Sequence, residues 1–160
     1  MRKKLFIALI LILMLVPMSI AAADEKPLRF ETTYYFALGS KLPEDGRDLI
    51  WTGTVSGTFE GTMEWWMHFP GGVDTGKVNH WEDAKWIIYP DDGDEESFIM
   101  GLEWGSTTWI PGGERANWRA NGRVTDASEG YEYLIDRPMH DGGVVDLTTW
   151  SGVGKVHINK

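Results

Sequence analysis

Two glutamates and two histidines are the first residues in this 160-residue chain whose types and spacing could do chemistry. Glu64 and His68 share one parity of a strictly alternating segment. A hairpin loop centred on Val73 would set Glu64 opposite Glu82 and Trp66 opposite His80, and so bring Glu64, His68, His80 and Glu82 to one face. Two imidazoles and two carboxylates suit a divalent cation or general acid–base work. No short metal-binding spacing supports that version and its register is assumed. The preferred reading is a solvated, charged outer face, with no metal and no cofactor expected.

Arg115, Arg119 and Arg123 form a cationic row that could grip a ligand carboxylate or phosphate. Pairing across the sheet with carboxylates such as Glu60 or Glu103 is the plainer expectation. The turn Asp91-Asp92-Gly93-Asp94-Glu95-Glu96 offers oxygens without the spacing of an EF-hand loop, and is read as solvated. Asp126, Arg137, His140 and Asp141 would meet near a barrel mouth, most simply as a structural ion pair. None of these spacings fits a nucleophile or a triad, so no catalytic residue is assigned. Trp66, on a polar face among glutamates, could stack on a sugar ring.

These side chains hang on β-structure. From Thr52 to Phe69 the chain alternates without a break, polar on even numbers and apolar or glycine on odd ones. A straight ribbon of that length is far beyond the usual strand of ~5–6 residues, and Gly53, Gly57 and Gly61 offer places to bend. Further strands are predicted at Leu28 to Leu38, Lys77 to Tyr89 (broken near Asp83), Phe98 to Trp104, Arg115 to Val124, Tyr131 to Ile135, Val144 to Trp150 and Val153 to Ile158. Turns at Pro70-Gly71-Gly72, Pro90 to Glu96 and Pro111-Gly112-Gly113 separate several of them. The count predicts an all-β, single antiparallel eight-stranded barrel. A β-sandwich is the nearest alternative. An outer-membrane barrel fits less well, because the later strands look short and irregular for spanning. On the apolar parity, Phe59, Met63, Trp65 and Met67, with Trp104 and Trp118 from later strands, become the predicted lining of a cavity.

Residues 1–23 are set apart. Arg2, Lys3 and Lys4 precede an apolar run from Leu5 to Val16, and Ala21-Ala22-Ala23 is the small-residue pattern that a signal peptidase cuts, which predicts cleavage before Asp24 and a single domain over 24–160. The destination is outside the cytoplasm: secreted, periplasmic or at the cell surface. With no Cys, neither a disulfide nor a lipoprotein anchor is available, and stability must come from apolar burial, to which nine Trp contribute. The formal charge is −9, more negative by three once Arg2, Lys3 and Lys4 leave with the leader. That surface repels nucleic acid and anionic membranes, so neither is expected as a partner of the cleaved chain.

The segment Gly122-Arg123-Val124-Thr125-Asp126-Ala127-Ser128-Glu129-Gly130-Tyr131-Glu132-Tyr133-Leu134 resembles the late region of allene oxide cyclase and dirigent-type barrels, where a strand leads through a Gly-containing turn to an aromatic and a short closing strand. Gly53-Thr54-Val55-Ser56-Gly57-Thr58-Phe59-Glu60-Gly61 is similar to the glycine-punctuated strand of that family. The resemblance implies an eight-stranded barrel with an apolar cavity and transfers no catalytic residue. The leading expectation is a non-enzymatic exported barrel that binds a small hydrophobic ligand or has a structural role. The alternatives are an isomerase or cyclase of the allene oxide cyclase type and a carbohydrate-binding module using exposed Trp. An inward-facing carboxylate beside the aromatics would favour the enzyme.

Overall fold

The computed structural model describes residues 27–36, 49–74 and 76–159. The predicted leader, the predicted loop over 39–48 and the end of the first predicted strand beyond residue 36 lie outside the described residues. The elements are β1 (Leu28–Phe36), β2 (Leu49–Gly57), β3 (Gly61–Met67), β4 (Val78–Pro90), β5 (Ile99–Trp109), β6 (Arg115–Ala127), one 3-10 turn (Glu132–Leu134), β7 (Pro138–Asp146) and β8 (Ser151–Ile158). Each strand pairs antiparallel with the next, and β8 returns to β1, which closes the barrel and removes the open edges of a sandwich.

The long alternating segment is a hairpin rather than one ribbon. Val55 pairs with Gly61 and Trp51 with Trp65 around a three-residue turn, Thr58 to Glu60. Because an odd-length turn keeps odd numbers facing odd numbers, Val55, Met63, Trp65 and Met67 all point inward and the alternation runs on through the bend. Tyr131 to Ile135 is not a strand: its centre is the 3-10 turn, whose Leu134 is fully buried. The seventh strand begins at Pro138, earlier than predicted, and Leu147 to Trp150 form the turn after it. The predicted break in β4 is a bulge between Trp81 and Ala84, with Asp83 at φ 50°.

The prediction for β5 reverses. Trp104 is predicted to line the interior, yet Ile99, Gly101 and Glu103 are buried and Trp104 is 54% exposed. The reason lies on β4, whose Trp86 and Trp81 pair with Gly101 and Gly105. Their indoles fill the room that a side chain at those glycines would need. In the same way Trp118 of β6 lies over Gly143 of β7 and Gly154 of β8. Large rings over missing side chains make this narrow interior fill. On β6 Trp118 faces inward as predicted and the alternation is strict, with Ala116, Trp118, Ala120, Gly122 and Val124 buried and Arg115, Asn117, Arg119, Asn121 and Arg123 exposed.

One end is sealed. There Phe30 packs on Phe59 with ring centroids 5.0 Å apart, and the buried Leu134 of the 3-10 turn belongs to the same apolar cluster as Ile99, Val124 and Ile158. At the other end, where β1 ends, β2 begins and the β3–β4, β5–β6 and β7–β8 turns lie, the described residues leave a space in the interior.

Candidate functional site

The open end holds a cavity of about 360 Å3, within the usual range for a small-molecule site. Trp51, Met67, Trp109 and Val145 supply its wall, and Val73, Leu147 and Trp150 reach it from the turns. Its floor is a layer of three rings: Tyr34 lies 5.2 Å from Trp65 and 6.0 Å from Trp118, and the two indoles lie 5.9 Å apart, centroid to centroid. Among the described lining residues, Asn79 and Thr107 carry polar side chains, Tyr34 and the tryptophans a hydroxyl or an N–H, and none is charged.

Trp150 at the rim has φ 51°, the left-handed region that a bulky side chain rarely adopts, and it is 45% exposed. Asp146 anchors the turn by accepting the backbone N–H of Thr148 at 2.9 Å. Strain of this kind costs on the order of 1–3 kcal/mol and collects where a side chain must be held for use.

Beneath the floor sit two carboxyl groups. Glu103 of β5 is 1% exposed, and the Trp65 indole N–H is the group placed to steady its carboxylate. Asp141 of β7 turns inward and accepts the Trp118 indole N–H. The Thr32 and Tyr34 hydroxyls are buried next to each other, and Tyr34 lines both the cavity and the space below. Burial raises the Glu103 carboxyl well above the ordinary range, and the charge of Asp141 raises it further. Asp141 is pushed up to about 7 by burial, against the pull of the Trp118 N–H. Tyr34 is raised as well, first by burial and then by Asp141.

No protein family, no curated protein and no solved structure matches this chain. Function must therefore be argued from the cavity itself.

Of the predicted lining residues, Trp65, Met67 and Trp118 are at the cavity. Met63 lies one layer deeper, beside Glu103 and Asp141. Phe59 is half-buried at the sealed end, and Trp104 stands outside, in a shallow groove with His80, Glu82, Asp83 and Arg123. Both are corrections, and they share a cause: parity gives the face of a strand but not the height along the barrel, and on β5 the face was inverted by glycines. Trp51, Trp109, Trp150 and Tyr34 were missed. Trp51 continues the inward parity of Val55 and was there to be found, whereas Trp150 sits in a turn where periodicity says nothing.

The hairpin constellation is not assembled. Across β3 and β4, Glu64 pairs with Ile87 and Trp66 with Lys85, five residues out of the assumed register. Among the described residues no group of three or more His, Asp or Glu could hold a metal ion. Trp66 is no free sugar platform: its N–H donates to Glu64 at 3.0 Å, and the Lys85 ammonium lies 4.9 Å from its ring centroid. Arg115 lies 4.0 Å from Asp146. Glu103, expected to face the arginine row, is inside. Asp126, His140 and Arg137 bond elsewhere, to the Ala127 N–H, Asn121 and the Tyr133 carbonyl. In the acidic turn Asp92 accepts the Asp94 N–H at 3.0 Å and the Ser97 hydroxyl at 2.8 Å, so its oxygens serve the turn.

Proposed function

We propose that this chain is an exported barrel that binds a small apolar organic molecule in the tryptophan-lined cup. The observation that carries the reading is the cup itself. Among the described residues it is a cavity of about 360 Å3 with indole walls, in a barrel whose other end is packed. Indole walls around a cavity of this size, with Trp150 held at the rim in a strained backbone, suit a bound molecule better than a purely structural role. The charged leader, apolar run and small-residue end support a site of action outside the cytoplasm.

Naphthylmethanol, a neutral fluorescent probe, should bind saturably and change tryptophan emission. Trp150→Gly should weaken that binding several-fold while leaving thermal stability unchanged or raised, because glycine adopts φ 51° freely. Loss of stability without loss of binding would make Trp150 structural and remove its part in the site.

A second reading, an isomerase or cyclase that folds an apolar substrate away from water, is supported by two inward carboxyl groups beside the aromatics. It agrees with the architecture that the allene oxide cyclase resemblance implies. Tyr34, which lines both spaces, is the side chain through which a proton would pass. A Glu103→Gln protein that binds a turned-over substrate but no longer converts it would favour this reading over simple carriage.

A further inference from the structure

We propose that the cup selects a lipophilic cation: a molecule with an apolar body and a protonated amine or quaternary ammonium group, held with its charge against the floor of Tyr34, Trp65 and Trp118. This rests on the reading of the cup as a ligand site and adds the chemical class of the ligand.

Four observations converge on a positive charge. No Lys, Arg or His lines the cup among the described residues, so the head group of a fatty acid or a phosphate would enter without a counter-charge. The lining is instead rich in aromatic rings, whose π faces attract cations and repel anions. Under that floor the Trp118 N–H donates to Asp141, and a donor bonded to a carboxylate leaves the indole face richer in electrons and better suited to a cation. Glu103 and Asp141 are two inward carboxyl groups with no cationic side chain at their level among the described residues, and a cation one ring-layer above supplies a counter-charge. The chain's charge of −9 adds a long-range field of the same sign.

The groups that titrate around this pair are Tyr34 from β1, Glu103 from β5 and Asp141 from β7. The other side chains at that level, Met63, Trp86, Met139 and Val156 among them, do not. Asp141, raised to about 7, and Glu103, raised as well, hold protons near neutrality that an incoming cation would drive off. Uptake of the cation is then linked to proton release, and its affinity climbs as pH rises from about 5 to about 8.

Three matched probes test this on the full mature chain by isothermal titration calorimetry: naphthylmethyl-trimethylammonium, naphthylmethanol and naphthylacetate. The ammonium probe should bind about tenfold more tightly than the alcohol at pH 8, and the acetate most weakly. The preference should shrink at pH 5, and the binding heat should depend on the ionisation heat of the buffer, as proton release requires. In Asp141→Asn and in Glu103→Gln, the ratio of ammonium to alcohol affinity should fall toward one. Either variant, if folded, decides the matter. Equal binding of ammonium and alcohol, or tightest binding of the acetate, overturns cation selection and leaves the cup as a neutral site. Failure of all three probes to bind overturns the cup itself, and the selection with it.

Discussion

Replacing Glu103 with Met is expected to make the folded chain more stable at pH 8, by about 1–4 kcal/mol, because it exchanges a buried acid beside a second carboxyl group for an apolar side chain of similar length. The gain should shrink near pH 4, where Glu103 is already neutral. The sign follows from proton counting. Burial raises Glu103 and Asp141, so between the unfolded pKa values near 4 and the folded ones the native chain holds protons that the unfolded chain has released. Their contribution to stability is complete below about pH 4 and is lost as pH rises. For Asp141, displacement from 3.8 to about 7 corresponds to at most on the order of 4 kcal/mol, gone above pH 7. Urea unfolding at pH 4 and pH 8 measures both effects. A Glu103→Met chain less stable than its parent at pH 8 would mean that the acid is a structural asset, and the case for its functional retention would collapse.

Gly101→Val should be the most damaging single change, removing more than about 3 kcal/mol or preventing folding. A Cβ at Gly101 would fall within the Trp86 indole and against the Arg123 carbonyl oxygen, and Trp86 is fully buried with nowhere to go. Trp86→Ala alone leaves a hole and should cost about 3–5 kcal/mol. Combined, the two changes should cost clearly less than their sum, since valine enters the space that the ring vacates. The Arg123 carbonyl keeps the rescue partial. Simple additivity in thermal or urea unfolding would show that Trp86 and Gly101 do not interlock.

The same interlock decides what could be read from the sequence. Strict alternation gave the inward face of β6 correctly, because its apolar residues are its inward ones. On β5 the inward face carries Gly101, Glu103 and Gly105 between Ile99 and Trp109, while Met100, Leu102 and Trp104 lie outward. A hydrophobicity pattern picks the wrong face wherever a strand makes room for its neighbour's rings. The predicted total of eight strands is met through two offsetting differences: the ribbon from Thr52 to Phe69 is two strands, and Tyr131 to Ile135 is none. Trp65, Met67 and Trp118 were legible as cavity lining because parity and side-chain size agree there. The meeting of Glu103 with Asp141 was not, since it joins β5 to β7 across the interior and depends on barrel closure, which no local pattern encodes.

The central claim, that the cup is the binding site, is tested most directly by nitrogen–proton NMR of the tryptophan indole groups during titration with naphthylmethanol. Trp51, Trp65, Trp109, Trp118 and Trp150 line the cup, whereas Trp66, Trp86 and Trp104 do not. Saturable shifts in the first group, with the second unmoved, are the expected result. Shifts confined to Trp66 or Trp104, or no saturable shift in a folded barrel, would contradict it.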